Sequence, residues 1–351
     1  MLKYLRKIYK DFRCMNTNSI RKNNLIKELN NNSQIAPVSI LMCVFNDSGY
    51  LQDAINSVTQ QTWKNFEFII VDDGSDDNTP EILSTLSNYD NRIKIFRKQN
   101  SGLTASLNYG LRFCSAPLIA RIDSDDLWSP EKLEVQMNFM QKHPSISLLG
   151  SSAYLIRENG RIISTKYYPS SNKALRNNLL KKKGHFPHSS VIIRKKILDI
   201  LGGYDESFKK AQDYELWLRI SSDFKISCIK KPLVSIRKHA NQISSGDTEK
   251  QQFFDSRRAL IKHELSNMAD ESNHAFNILF QKAWTNAKPL INEIFILRKN
   301  IKIIKTSLKK LQINNAITSI LVCLLSPRIF FKYLFFGEDY KKYINDVMGL
   351  K

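Results

Sequence analysis

Cysteine is scarce in this chain, and its few cysteines form no recognisable pattern. There are five in 351 residues, they are widely separated, and no two form a CxxC pair. A zinc ribbon or a thioredoxin-like site is therefore not expected. An odd, sparse set of thiols is typical of a reducing compartment, so we expect a cytoplasmic protein. The cysteines are Cys14, Cys43, Cys114, Cys228 and Cys323.

Long hydrophobic runs are also missing. A helix that spans a bilayer needs about 20 apolar residues. The nearest stretch, residues 317–336, is interrupted by Pro327, Arg328 and Lys332. The first 13 residues are basic but lack the apolar region of a secretory signal. We therefore expect neither a transmembrane helix nor an export signal.

Acidic residues are outnumbered by basic ones, 33 against 53, and the formal net charge is +20. A charge of this size indicates an anionic partner, such as nucleic acid, a membrane surface or a small anionic substrate. The excess is concentrated at the two ends, with eight basic and two acidic residues in 1–30, and thirteen and four in 281–351. No nucleic-acid-binding motif accompanies it. We therefore expect an anionic membrane surface as partner. Binding of nucleic acid is the weaker alternative, and we do not expect it.

The order of apolar segments predicts the fold class. Strand-length apolar runs alternate with helical patterns from Pro37 onward, and 42% of the residues are hydrophobic. This alternation predicts an α/β fold with a doubly wound, mostly parallel sheet. We expect three segments: a basic amphipathic segment at 1–36, the α/β domain at 37–245, and a helical, basic region at 246–351.

Each terminal segment allows two interpretations. Residues 1–13 have apolar residues at helical spacing with Lys and Arg between them, which suits a helix on a membrane surface or a helix packed on its own domain. The C-terminal basic helices, together with residues 317–336, are either a membrane anchor or a helical cap on the α/β domain. The membrane interpretation predicts a peripheral position on the inner face of the cell membrane.

Two acidic clusters follow the second and fourth predicted strands. They are VDDGSDD at 71–77 and RIDSDD at 121–126. In open α/β sheets, ligands bind at the carboxyl ends of the strands, so both clusters lie at the expected binding edge. Asp123 and Asp125 are two positions apart, and their oxygens suit Mg²⁺ or Mn²⁺. The alternative for each cluster is a turn that caps the following helix.

Other candidate residues lie in the second half of this domain. Asp213 begins a predicted helix, where it is either a helix cap or a general base. His185, His188 and His239 lie in polar, loop-like settings near predicted strand ends. They are either solvated or structural residues, or ligands that converge on the carboxylate site.

Eight segments occur along the chain in this order: PVSILMCVFND, SVTQQTWKNFEFIIVDDGSDDNT, NSGLTASLNYGL, IARIDSDDLWSPEKLEVQMNFMQKHPSISLLGS, HSSVIIRK, GGYDE, QDYELWLRI and IRKHANQIS. Taken in order, these segments resemble the inverting family-2 glycosyltransferases of the GT-A fold. The resemblance covers about residues 37–245. It implies an α/β GT-A fold with a helical, basic C-terminal extension. It also implies transfer of a sugar from a nucleotide-diphosphate sugar, with UDP as the expected nucleotide, to a hydroxyl of a glycan or lipid-linked acceptor in bacterial capsule, exopolysaccharide or O-antigen synthesis. A non-catalytic scaffold of the same family is the alternative.

The resemblance also implies roles for individual residues. Asp73 would contact the base, Asp123 the ribose or the metal ion, and Asp213 would be the general base. A Mn²⁺ or Mg²⁺ ion would be the cofactor. The implied nucleotide-binding residues are Val38, Phe45, Asn46, Asp73, Lys98 (or Arg97) and Asp123. The implied metal ligands are Asp125, Asp123 and His239, and the implied acceptor- or sugar-binding residues are His188, Trp217 and Gln212.

Two positions depart from the family pattern, and two more have no assigned role. Phe45 stands where the family usually has tyrosine, which keeps a ring but removes a hydroxyl. Gln212 stands where a glutamate often precedes the base, so a carboxylate that could tune the base's pKa is absent. Arg121 either pairs with a nearby acid or reaches the nucleotide. Asp126 either orients its neighbours or helps to begin the next helix.

Overall fold

The computed structural model describes residues 38–239 and 248–266 of the chain. The first half of this part repeats a strand–helix unit. Strand β1 (Val38–Val44) is followed by helix α1 (Ser48–Thr59), β2 (Phe66–Asp72), α2 (Thr79–Tyr89) and β3 (Ile93–Arg97). Each strand in this half pairs in parallel with the one before it, as expected for βαβ units.

The next unit extends the sheet on the other side of β1. Helix α3 (Leu103–Leu111) leads to β4 (Leu118–Arg121), which pairs in parallel with β1. The order is therefore β3-β2-β1-β4. The doubly wound arrangement predicted from the sequence is confirmed for these four strands.

Two hydrophobic clusters explain why these strands are apolar on both faces. Ile40 and Met42 of β1 belong to one cluster, with residues of α1 and α2. Leu41 and Cys43, which point the other way, belong to the second cluster, with residues of α3. A strand covered on both faces reads as a continuous apolar run, which is the pattern seen at residues 38–44.

The second half adds five strands to the same nine-stranded sheet. The chain runs through β5 (Leu127–Trp128), α4 (Lys132–Lys142), β6 (Ile146–Arg157), β7 (Ile162–Lys166) and α5 (Asn172–Leu180). The helix α4 packs its apolar side against the sheet, with Leu133, Met137 and Met140 buried. Strand β7 returns beside β6 as a hairpin.

The last elements of this half complete the sheet. A 3₁₀ turn (His188–Ser190) precedes β8 (Ile192–Arg194), and α6 (Lys195–Leu201), α7 (Gln212–Asp223) and β9 (Lys225–Lys238) follow. Strand β6 pairs in parallel with β9, while every antiparallel pairing involves β5, β7 or β8. The sheet is thus parallel in its first half and mixed in its second.

Helix α8 (Thr248–Ser266) packs on this α/β unit. Ala259 and Phe254 are buried, and Asp255 accepts a hydrogen bond from the backbone N–H of Lys210 at 3.0 Å. The described residues as far as His263 belong to one compact unit, so this unit continues past the boundary expected near residue 245. The predictions for residues 1–36, and for the region beyond α8, lie outside the described residues. Among the helices that the structure describes, none is long and apolar enough to cross a membrane.

Candidate active site

The carboxyl ends of β1, β2 and β4 lie side by side, and the residues after them form one edge of the sheet. The backbone N–H of Asp73, just beyond β2, donates to the carbonyl of Val44, the last residue of β1, at 2.9 Å. Asp123 follows β4 at the same edge. The structure therefore brings together the two acidic clusters that are 50 residues apart in the sequence.

Asp73 is held by three donors from the segment between β3 and α3. Its Oδ1 accepts hydrogen bonds from Lys98 Nζ at 2.7 Å and from the Ser101 N–H at 3.0 Å, and its Oδ2 accepts one from the Gly102 N–H at 2.8 Å. Burial raises the pKa of Asp73, but hydrogen bonds, led by that from Lys98, outweigh burial and lower it. We call these four residues the Asp73 pocket. Its carboxylate is ionised and charge-balanced.

Gly74 allows the chain to turn next to this pocket. Its φ is +81°, and a Cβ there would lie 2.9 Å from the backbone nitrogen of Asn100. Three residues later, Asp77 accepts a hydrogen bond from the N–H of Thr79 at the start of α2, at 2.9 Å. Both interpretations of the cluster at 71–77 therefore apply, each to a different residue. Asp73 belongs to the binding edge of the sheet, and Asp77 stabilises the start of α2.

The other residues at this edge that are predicted to bind the nucleotide differ in which of their groups are available to a ligand. The Phe45 ring is 48% exposed. The Asn46 amide exchanges two hydrogen bonds with Asp76, at 2.6 and 2.9 Å, and so ties the β1 and β2 loops together. Arg97 donates to the Ser75 carbonyl at 2.7 Å. Phe45 thus presents a ring to this edge, whereas Asn46 and Arg97 shape its backbone.

Val38 does not belong to this edge. It is the first residue of β1, and it is completely buried in a hydrophobic cluster. Six residues of strand separate it from Val44, or about 20 Å at the rise of an extended chain. The nucleotide-binding role predicted for Val38 is therefore corrected: its side chain is part of the core.

The acidic loop, residues 123–126, begins with an ion pair to a buried arginine. Arg121 is 1% exposed, and its Nη2 lies 2.5 Å from Asp123 Oδ1. Burial raises the pKa of Asp123, but the charge of Arg121, the charge of His188 and the hydrogen bond from Ser189 together outweigh burial and lower it. Of the two alternatives for Arg121, the structure shows pairing with the acid.

Ser189 connects this loop to the 3₁₀ turn before β8. Its hydroxyl lies 2.5 Å from Asp126 Oδ2 and 3.0 Å from Asp123 Oδ2, and it accepts a hydrogen bond from the Asp123 N–H. Asp126 also accepts a hydrogen bond from the backbone N–H of Arg237 at 3.1 Å and is 3% exposed. Burial, then the charges of Asp125 and Asp123, raise the pKa of Asp126 well above its usual value. Asp126 therefore orients the loop.

Asp125 meets a histidine from the end of β9. His239 Nε2 lies 2.9 Å from Asp125 Oδ2. Burial and the charge of Asp123 raise the pKa of Asp125. The structure therefore brings two of the three residues predicted to bind a metal ion, Asp125 and His239, into contact.

Asp47 is an acidic residue of this site that the sequence analysis missed. Its Oδ2 accepts a hydrogen bond from Ser124 Oγ at 2.6 Å. Burial raises the pKa of Asp47 to about 6, and the charges of Asp125 and Asp123 add to this effect. The signal was available, because Asp47 comes just after β1, as Asp73 comes after β2 and Asp123 after β4.

The oxygens of these carboxylates are of the ligand type that Mg²⁺ and Mn²⁺ prefer. Within the ranges 38–239 and 248–266, no group of three or more His, Cys, Asp or Glu residues is placed to hold a metal ion. However, the carboxylates raise one another's pKa, and a cation would relieve that repulsion. Mg²⁺ is usually held by one or two carboxylates together with substrate phosphates, rather than by a cage of protein ligands.

Asp213 lies close enough to His188 for its charge to act on that ring, as the charge of Asp123 also does. It is the second residue of α7, it is partly exposed, and its Oδ1 accepts a hydrogen bond from the N–H of Tyr214 at 2.7 Å. The N-cap of this helix is Ala211, so this bond is not a helix cap. Among the described residues no hydrogen bond to its Oδ2 forms, and this oxygen is therefore available to a substrate.

His188 lies near both acidic sites. Its Nε2 is 2.8 Å from Tyr204 Oη. Burial, then the charge of Arg121, lower the pKa of His188 to about 4, and Asp123 and Asp213 act in the opposite direction. Burial also raises the pKa of Tyr204. His188 is therefore a neutral ring that shares a hydrogen bond with a protonated phenol.

All three predicted acceptor- or sugar-binding residues are buried, and His188 and Gln212 are each 7% exposed. Trp217 is completely buried, and its ring packs against Phe186 and the edge of His188. Trp217 therefore supports His188 from the core, which corrects the prediction that it contacts the acceptor. Gln212, the first residue of α7, is 7% exposed. His185 hydrogen-bonds the Phe186 carbonyl and takes no part in the acidic loop.

Comparisons with known proteins agree with this arrangement. The family described as "Glycosyl transferase family 2" matches residues 39–202. The "O-antigen biosynthesis glycosyltransferase WbnJ" of Escherichia coli is 35% identical over 189 residues, which are 53% of this chain and 72% of that protein. An "Uncharacterized glycosyltransferase" of Haemophilus influenzae is 28% identical over 320 residues, 79% of this chain and 98% of its own length.

A solved structure shares the architecture. The crystal structure of S. aureus TarS 1-349 in complex with UDP-GlcNAc has a TM-score of 0.56 and 21% sequence identity, and the similarity covers 71% of this chain and 72% of that one. This likeness confirms the fold predicted from the sequence.

Proposed function

Because this chain belongs to glycosyl transferase family 2 and has the GT-A fold, we propose that it transfers a sugar from a UDP-sugar to a hydroxyl of a glycan or lipid-linked acceptor, with inversion at the anomeric carbon. The observation that carries the proposal is the pairing of two sites at one sheet edge. The Asp73 pocket and the acidic loop would hold the donor, and Asp213 lies on the acceptor side.

The nucleoside would lie between the Asp73 pocket and Phe45. The pocket offers a carboxylate whose backbone and Lys98 donors already fix its position. The exposed Phe45 ring can stack on a base. UDP is the proposed nucleotide because the TarS structures with similar architecture were solved with UDP and with UDP-GlcNAc.

The diphosphate would lie over the acidic loop. Asp125, His239 and Asp123 would hold Mn²⁺ or Mg²⁺ there. When bound, such a cation offsets the negative charge of the departing diphosphate. Arg121 forms an ion pair with Asp123 and thereby fixes the orientation of that carboxylate.

Asp213 would be the general base. Its free oxygen would accept the proton of the acceptor hydroxyl while the hydroxyl oxygen bonds to the anomeric carbon. The bond from that carbon to the diphosphate oxygen breaks in the same step, on the opposite face. One displacement inverts the configuration and needs no protein nucleophile. His188 would hydrogen-bond the acceptor or the sugar, and Gln212 lies beside the base.

We also propose that this activity serves bacterial surface-polysaccharide synthesis on the inner face of the membrane. The relative named for O-antigen biosynthesis supports this role. The net charge of +20 suits an anionic membrane surface, where lipid-linked acceptors would be found.

The test is a nucleotide-release assay with the full chain, a panel of UDP-sugars, an acceptor panel and Mn²⁺. We expect release with at least one donor and a loss of release with EDTA. The Asp213→Asn variant should lose about 10²- to 10⁴-fold in kcat, the range of general base catalysis. Asp199→Asn, an exposed acid paired with Lys195, is the matched control. Full activity of Asp213→Asn would exclude Asp213 as the base, and activity that is unchanged by EDTA would exclude the metal ion.

A further inference from the structure

The β6–β7 hairpin carries exposed apolar side chains on both of its faces, because consecutive strand residues point in opposite directions. Ile162 is 60% exposed, Ile163 49% and Tyr167 70%. They are three of the seven exposed large hydrophobic side chains in the described part of the chain. Among the strands described, β7 pairs only with β6. Isoleucines on an uncovered edge strand favour association with another apolar surface.

Positive charge surrounds these apolar side chains. Arg157 and Arg161 flank the turn, where the N–H of Arg157 donates to the Arg161 carbonyl at 2.9 Å. Lys166 lies at the end of β7. All three are exposed, and none forms an ion pair with a described residue. The only acidic residue of residues 157–167 is Glu158.

This combination matches the interface of an anionic bilayer. Apolar side chains gain by entering the boundary between headgroups and acyl chains, while Lys and Arg interact with anionic headgroups. Tyrosine suits the same interface, because its ring is apolar and its hydroxyl is polar. A second protein copy could cover the isoleucines, but it would bring the same positive charges together.

The hairpin lies next to the candidate active site. The guanidinium of Arg237 donates to the Glu158 carbonyl at 2.6 Å and to the Asp125 carbonyl at 3.0 Å. One arginine head group therefore bridges the hairpin turn and the acidic loop. Contact of this hairpin with a membrane would hold the acidic loop close to the lipid surface.

We propose that the hairpin of residues 157–167 inserts its apolar side chains into the surface of an anionic lipid bilayer. This inference extends the proposed function by naming the face that meets the membrane. It does not depend on sugar transfer, since a protein without transfer activity would still bind lipid through this surface.

Hydrogen exchange measured by mass spectrometry on the full chain tests the proposal. The protein is compared alone, with phosphatidylglycerol vesicles and with phosphatidylcholine vesicles. We expect slower exchange in peptides of residues 157–167 with phosphatidylglycerol only. Local exchange is the readout because the basic terminal segments can add to total binding. Unchanged exchange in the hairpin, while the protein sediments with the vesicles, would overturn the proposal.

Two variants test whether the isoleucines of the hairpin contribute to lipid binding. Replacement of Ile162 and Ile163 by Ser should abolish the protection and raise the half-saturating lipid concentration on the order of tenfold, because two apolar side chains no longer enter the lipid. Tyr89→Ser, which changes an 84% exposed ring on α2, should behave as the wild type. Circular dichroism confirms that both variants fold. Equal loss in both variants, or protection that grows with protein concentration in the absence of vesicles, would contradict the proposal and indicate, in the second case, a second copy of the chain.

Discussion

The Asp73 pocket and the acidic loop occupy the same sheet edge but differ in their charge balance. Asp73 accepts three hydrogen bonds, one of them from a lysine, and its pKa is lowered. Asp125 is paired with a histidine, and burial and the charge of Asp123 raise its pKa. The first site is complete as the protein stands, whereas the second gains from an added positive charge.

This difference follows from what the neighbouring loops supply. Beside Asp73, the segment after β3 presents two backbone N–H groups and Lys98 to one carboxylate. Beside Asp125, the neighbouring loops supply mainly further acids, including Asp47 from the loop after β1. In the proposed function, the first site would recognise a neutral base by hydrogen bonding, and the second would hold a cation with a diphosphate.

The largest effect is expected for Asp125→Asn. This change removes the negative charge that would hold the cation. We therefore expect kcat/KM for sugar transfer to fall about a thousandfold, equivalent to about 4 kcal/mol. Calorimetry should show weaker Mn²⁺ binding. Asp199→Asn is the control. Transfer that is unchanged by Asp125→Asn would show that the two sites do not differ as proposed.

A smaller and different effect is expected for Asp73→Asn. The change removes the charge that pairs with Lys98, so we expect the KM for the UDP-sugar to rise about tenfold, with a smaller change in kcat. The free energy of unfolding should fall by about 2 kcal/mol, because a buried lysine contact is lost. Asp199→Asn, an exposed acid paired with Lys195, is the control. A fall in kcat without a rise in KM would argue against donor recognition by the Asp73 pocket.

Gly74→Ala tests how rigid the Asp73 pocket is. The positive φ of Gly74 and the close approach to Asn100 both oppose a side chain, so we expect a loss of about 2 kcal/mol in the free energy of unfolding. Gly160→Ala has a similar φ of +79° but open space around its Cβ, and should cost only about 1 kcal/mol. Chemical denaturation measures both. Equal losses would mean that the turn can move away from Asn100.

The smallest effect is expected for Asp47→Asn, and it depends on pH. The folded protein holds the Asp47 proton up to a pKa of about 6. The folded state therefore binds more protons than the unfolded state between about pH 4 and pH 6, and its stability falls as pH rises through this range. Asparagine removes this penalty, so the variant should be more stable than the wild type by about 1 kcal/mol at pH 7.5 in EDTA, with no gain at pH 4.

Asp77→Asn provides a control of opposite sign. Burial raises the pKa of Asp77, but hydrogen bonds from Thr79 and Ser48 lower it overall. Asp77 therefore stabilises the folded protein above about pH 4 and loses this effect as pH falls. The variant should be less stable than the wild type at pH 7.5. If both variants shift stability in the same direction at pH 7.5, the proposed difference in electrostatics is wrong.

Much of the fold could be predicted because buried parallel strands have a simple signature. The apolar runs at residues 38–44 and 66–72 are strands, and the helices between them have the expected spacing. The second half was harder to predict. Strand β5 has only two residues, and β6 and β9 pair with irregular register, so neither gives a regular pattern.

The candidate site could likewise be predicted only in part from the sequence. Asp73, Asp123 and Asp125 come just after strands. They were therefore predicted, because ligands bind at the carboxyl ends of strands in open α/β sheets. Asp47 satisfied the same rule, but a single acid after an apolar run carries little signal. Val38 and Trp217 were misplaced because a sequence does not show which face of an element is buried by distant segments.

The sequence by itself determined the alternating elements, the edge at which the acids gather, and the family. Only the tertiary structure decided which partner each acid meets: Lys98 for Asp73, Arg121 for Asp123, His239 for Asp125 and Ser124 for Asp47. The physical reason is distance. Strand and helix patterns depend on neighbouring residues, whereas the charge of a carboxylate depends on side chains brought from as far as 114 residues along the chain.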